Sequence, residues 1–163
     1  MQQQISKQSG PEALELDGVA WRILIELQED ARLSFSELGR RVGMTAPAVA
    51  ERVRRLEERG IIRGYRLELD VERLGLPLQA LVRLANRGAS SQEITRTIRE
   101  LPEVLECHHV TGEDCYVLKV AVPSMRQLEA LLERLLRFGS TTTSIVISTP
   151  VTRRTISPGG SRS

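Results

Sequence analysis

Between Ser34 and Gly60 the chain runs through two short apolar periodicities separated by a glycine, and few folds accept that pattern. Ser34-x-x-Glu37 is a capping-box pattern, in which a hydroxyl and a carboxylate satisfy the first unpaired N–H groups of a helix. Leu38 and Val42 carry that helix to Gly43. Gly43-Met44 makes a tight break, Thr45 is a good N-cap, and Pro47 is tolerated in the first turn of a second helix. That second helix sets Val49, Val53 and Leu56 at i, i+4 and i+7 and stops at Gly60. Upstream, Ala20, Ile23, Leu24 and Leu27 share one face of a helix opening near Asp17. Two short helices joined by a glycine turn and braced by a third make a tri-helical helix-turn-helix.

With Val49 as the inward direction and ~100° per residue, Pro47, Ala48, Glu51, Arg54 and Arg55 point outward. Arg52 lies on the flank. Small residues at the start of such a helix let it approach a groove, and the arginines beyond them reach base edges or phosphates. The charge distribution agrees. The net charge of +2 over 163 residues is uninformative. Between Arg40 and Arg66, however, eight arginines face three acids, a local excess of +5. A local stripe of this kind is the electrostatic footprint of nucleic-acid binding. Ile61 to Leu69 alternates like a short strand pair, a wing with Arg63 and Arg66 as phosphate contacts. Tyr65 is the stripe's one aromatic. Single-strand binding needs stacking platforms, so duplex DNA is favoured.

The second half changes period. Residues 78–87 and 104–110 read as strands, as do 116–122 and 143–149. A helix capped by Ser90 or Ser91 carries Ile94, Ile98 and Leu101. Another, capped by Ser124, carries Leu128, Leu131, Leu132 and Leu135. The order β-α-β-β-α-β is that of a ferredoxin-like sandwich with one helix-covered face. Its open face, rich in Val, Leu and Ala, predicts pairing with a second copy. The fold class is thus α+β, a winged helix-turn-helix followed by a ferredoxin-like domain. The expected boundaries are a flexible segment 1–15, a DNA-binding domain 16–64, a β-linker 65–77, an effector and oligomerisation domain 78–151 and a flexible tail 152–163.

Other functions find little support. No apolar run approaches the ~20 residues of a membrane span, and the polar N-terminus lacks the apolar stretch of a secretory signal. A cytoplasmic protein is expected. Two cysteines make no disulfide framework. Cys107, His108, His109 and Cys115 match no tetrahedral spacing, because neighbouring strand residues face opposite ways. A hairpin centred on Gly112-Glu113 sets Cys107 beside Leu118 and Cys115 beside Val110, so the two thiols do not face each other. No paired-carboxylate, Ser-His-Asp or phosphate-loop pattern marks an enzyme, and no cofactor or metal is implied.

Several motifs at fixed spacing resemble the Lrp/AsnC (leucine-responsive, feast/famine) transcription regulators from Leu16 to Val151. They include Leu38-x-x-Arg41-Val42-Gly43, Arg52-Val53-Arg54-Arg55-Leu56-Glu57-x-x-Gly60-Ile61-Ile62-x-Gly64-Tyr65, Glu106-Cys107-His108-x-Val110-Thr111-Gly112 and Tyr116-x-Leu118-Lys119. The resemblance implies a duplex-binding regulator that forms dimers and often octamers, with an amino acid or related effector bound between dimers. It places the effector site at the turn Thr111, Gly112, Glu113, Asp114 and Cys115. Where the family often has an aspartate just before the tyrosine, this chain has Cys115; where it commonly has Asp, this chain has Ala20, next to Trp21. The DNA-contacting set is Ser36, Arg41, Thr45, Pro47, Ala48, Glu51, Arg52, Arg54, Arg55 and Arg63. A second reading, a small-molecule-sensing assembly protein whose N-terminal domain makes protein contacts, differs in needing no response of duplex binding to salt.

Overall fold

The computed structural model describes residues 15–112 and 115–158. The expected flexible N-terminal segment therefore lies outside the described residues, apart from Glu15. Helix α1 (Gly18–Glu29) starts where Asp17, in extended backbone, accepts the Ala20 N–H at 2.7 Å. Helix α2 (Phe35–Val42) starts in the same way, with the Ser34 hydroxyl accepting the Glu37 N–H at 3.2 Å. It ends at Gly43 in left-handed backbone, φ 74°, and the Met44 N–H turns back to the Gly39 carbonyl. Helix α3 (Ala46–Glu58) follows the Thr45 cap with proline in its first turn. Its end is stapled twice, Gly60 N–H to Glu57 C=O and Ile61 N–H to Leu56 C=O, the pairing of a Schellman motif.

Ile23, Leu38, Val49 and Val53 lock these three helices together, with Ala20, Val42 and Leu56 around them. Complete burial of such a side chain stabilises by about 1.5–3 kcal/mol. Gly39 is as necessary as the apolar residues. A Cβ there would stand 2.5 Å from the Met44 carbonyl oxygen, so only glycine lets the turn lie against α2.

The expected wing is absent. Ile61 and Ile62 fold back onto the helical core, and no strand forms between residues 61 and 70. The alternation of Tyr65, Leu67 and Leu69 meets no strand among the described residues of this chain, and all three are exposed. The helix-turn-helix stands on its helices alone.

The second unit runs from Glu68 to Thr152. Strand β1 (Leu78–Asn86) precedes α4 (Ser91–Arg99), with the Ser90 hydroxyl accepting the Glu93 N–H. Then come β2 (Val104–His109), β3 (Tyr116–Val122), α5 (Met125–Leu136) and β4 (Gly139–Ile145). Every pairing is antiparallel and the strand order is β2-β3-β1-β4, which with this element order is the ferredoxin-like topology. Alternate residues of β1 (Ala80, Val82, Leu84) and of β3 (Tyr116, Leu118, Val120) meet Ile94, Ile98, Leu128, Leu131 and Leu135 from the two helices. The opposite face leaves Leu81 exposed.

Strand β4 departs from the expected 143–149. It starts four residues earlier and ends at Ile145, because register rather than composition sets its limits. Ala80 pairs with Ile145, and the partner strand begins at Leu78, so little of β1 remains for residues beyond. At the other end Gly139 pairs with Asn86, where a Cβ would stand 1.8 Å from the Ala85 carbonyl oxygen.

In the tail, the described residues from Arg153 group with the helical unit, and Ile156 is held at both main-chain groups. Its N–H donates to Gln28 Oε1 at 2.8 Å, and its carbonyl accepts from Gln28 Nε2 at 3.0 Å.

Candidate DNA-reading face and sensor loop

The Ser34 cap and the Gly43 turn fix the angle between α2 and α3, and so aim the α3 surface. Pro47, Arg54 and Arg55 are exposed on it, Ala48 and Glu51 are half-buried, and Ser36 is exposed at the start of α2. Thr45 is exposed and its hydroxyl caps nothing. The expected set thus falls on two helices and the turn between them, while Arg63 lies exposed beyond α3.

The structure adds ion pairs that spacing alone did not reveal. Arg41 donates to Glu26 of α1 at 2.8 Å and to Glu37 at 3.0 Å. Arg52 donates to Asp17 at 2.7 Å, tying α3 to the cap of α1. Asp17 is held below the usual carboxylate range by the Ala20 N–H first and by Arg52 second. Arg54 and Arg55 both engage Glu51, and Arg54 also engages Glu58. Among the described residues, Arg59, Arg63 and Arg66 have no carboxylate partner. The +5 stripe is therefore two populations, one held by acids and one without a carboxylate partner among the described residues.

Glu37 shows how firmly the acids are held. Arg40 and Arg41 lower its carboxyl from an ordinary 4.5 to about 2. A group whose pKa is lower in the folded state stabilises fully above its unfolded pKa and loses that contribution as pH falls through the folded value. The Glu37 ties should hold at neutral pH and weaken between pH 4.5 and about 2. Carboxyl NMR should give Glu37 a midpoint near 2, and one near 4.5 would contradict these contacts.

In the second unit the turn joins β2 and β3. Thr111 and Gly112 are exposed and Cys115 is half-buried, while Glu113 and Asp114 lie outside the described residues. The hairpin has the expected register: Cys107 pairs with Leu118, and the Val110 N–H donates to the Cys115 carbonyl at 2.8 Å. Neither cysteine forms a disulfide among the described residues. At the base of the turn the His109 ring stacks on Tyr116, centroids 4.6 Å apart. The Tyr116 hydroxyl is buried without a hydrogen-bond partner among the described residues.

A basic, glycine-hinged helix pair and a ferredoxin-like sheet with an exposed hairpin turn define a class: a DNA-binding regulator with a separate sensing domain. Comparison with known proteins makes the class specific. The AsnC-type helix-turn-helix domain matches over residues 16–57 and the Lrp/AsnC ligand binding domain over residues 79–156. The HTH-type transcriptional regulator LrpC of Bacillus subtilis is 36% identical over 83% of this chain and 94% of its own. The leucine-responsive regulatory protein of Escherichia coli K12 is 42% identical over 76% of this chain and 77% of its own. The feast or famine regulatory protein of M. tuberculosis, solved with L-methionine, superposes with a TM-score of 0.82 at 35% identity, covering 88% of this chain and all of that one. The chain belongs to the Lrp/AsnC family of transcription regulators, a family of DNA-binding proteins and not of enzymes. Among the described residues no helix is long and apolar enough to cross a membrane.

Proposed function

We propose that residues 16–64 read duplex DNA, that 65–77 link them to a sensor over 78–151, and that an amino acid or a closely related molecule is the signal. The observation that carries the DNA reading is the exposed α3 face, with Pro47 and Ala48 at its tip and Arg54 and Arg55 behind them. Ser36, Arg41, Thr45 and Arg52 flank that face, and Arg63 reaches the backbone beside it. The effector reading rests on the turn from Thr111 to Cys115 and on relatives such as the M. tuberculosis protein with L-methionine. The exposed sheet face with Leu81 supports a homodimer, and membership of the family supports a higher oligomer such as an octamer. Reading duplex DNA as a regulator is consistent with a cytoplasmic protein.

Cys115 alters the chemistry of the sensor turn. A thiol there cannot supply the fixed negative charge that an aspartate offers an α-ammonium group. Its S–H faces the Gly112 carbonyl, with the sulfur 3.9 Å from the oxygen. Ammonium recognition at this turn then needs an acceptor other than the residue-115 side chain. A thermal-shift screen of the amino acids tests the sensor: a ligand at a hundredfold excess over its Kd should stabilise the protein by about 2.7 kcal/mol. No shift with any amino acid would contradict the effector reading and leave the DNA reading untouched. Genomic fragments captured by the protein test the latter, because they should share one sequence pattern.

A further inference from the structure

The eight arginines between Arg40 and Arg66 are not equivalent. Glu51 accepts from Arg54 Nε at 3.0 Å, from Arg54 Nη2 at 2.8 Å and from Arg55 Nε at 2.9 Å. Glu58 accepts from Arg54 Nη1. All three guanidinium nitrogens of Arg54 thus face carboxylates from its own helix, one turn before it and one turn after. The two arginines and two glutamates sum to zero charge. Glu51 stays ionised, held below the usual carboxylate range by Arg54 and then Arg55. Arg59, Arg63 and Arg66, at the end of α3 and after it, have no such partners among the described residues.

We propose that Glu51 is a positioning residue that sets DNA specificity: it holds Arg54 and Arg55 against α3, withholds their charge from phosphates, and yields Arg54 only to a matching base edge. The proposal rests on the reading of α3 as the DNA-contacting helix. It reassigns Glu51 from a contact to a gate. The relative sizes of the effects allow such a gate. An exposed ion pair shifts an equilibrium by roughly two- to fivefold, enough to discourage a lone phosphate contact. A bidentate arginine–guanine contact discriminates by roughly five- to a hundredfold, enough to overcome it. The unpaired arginines supply the sequence-independent attraction, and the paired ones are kept for readout.

The alternative is that these pairs only support the helix, as i,i+3 and i,i+4 pairs do. Glu51→Gln separates the two, with a duplex captured from genomic DNA and a scrambled duplex of equal length as probes. The gate predicts roughly two- to fivefold tighter binding to the scrambled duplex and a steeper dependence of log K on log salt. It also predicts a smaller ratio between the two duplexes. Glu58→Gln should act in the same direction but more weakly, since Glu58 touches Arg54 alone. Scrambled-duplex affinity unchanged or reduced in both variants, with circular dichroism like the parent's, would overturn the gate. Arg54→Ala measured alongside tells the two failures apart. If it weakens captured-duplex binding while the glutamate variants change nothing, only the gate fails. If none of the three alters duplex binding, the reading of α3 fails with it.

Discussion

Raising the salt from 50 to 200 mM should weaken duplex binding by about a thousandfold. The figure comes from which arginines of the stripe have no carboxylate partner among the described residues. Arg40, Arg41, Arg52, Arg54 and Arg55 are engaged by carboxylates. Arg59, Arg63 and Arg66 remain in each protomer, so a dimer brings about six charges to phosphates, each releasing counterions. If all eight arginines met phosphates the loss would be far larger, and if the surface bound proteins the affinity would be nearly indifferent to salt. Titrations at the two salt concentrations measure the slope. A loss below about tenfold would contradict phosphate neutralisation by this face.

Gly39→Ala should be the most damaging small substitution in the reader. The added Cβ would stand 2.5 Å from the Met44 carbonyl oxygen. The turn must move or α2 must tilt, and such overpacking costs about 1–3 kcal/mol. The cost falls on the joint that aims α3, so duplex affinity should drop along with stability. Hydrogen exchange localises it: amides of α2 and α3 should exchange faster while those of β1 and β3 keep the parent's protection. Unchanged exchange in α2 and α3 would show that the turn tolerates the methyl group.

The three helices were legible in the sequence because each is written twice, once in its caps and once in its apolar period. Asp17, Ser34 and Gly43 mark ends, and Ile23, Leu38, Val49 and Val53 mark the inward face. The second unit was equally legible where strands alternate, as in β1. Strand β4 was not, because Gly-Ser-Thr-Thr-Thr carries no apolar alternation and its ends are fixed by β1. The wing failed for the opposite reason, since Leu67 and Leu69 alternate well but meet no strand among the described residues of this chain. Alternation describes a strand's faces and says nothing about whether a partner exists.

The site was legible as a surface but not as a network. Outward angles found Arg54 and Arg55. They placed Glu51 on the same face but missed that it and Glu58, at helical spacing from Arg54, hold the arginines in ion pairs. Arg52–Asp17 and Arg41–Glu26 join separate helices and could come only from the fold. Gly39 did leave a signal: a glycine inside an eight-residue helix costs about 1 kcal/mol against alanine, so its presence asks for a packing reason.

Arg54→Ala tests most directly whether α3 distinguishes one DNA sequence from another. The measurement is the ratio of affinities for a genome-captured duplex and a scrambled one, for parent and variant in the same salt. The variant should lose about 1–3 kcal/mol on the captured duplex and much less on the scrambled one, so the ratio should collapse. A variant that separates the two duplexes as well as the parent does would contradict that role for α3.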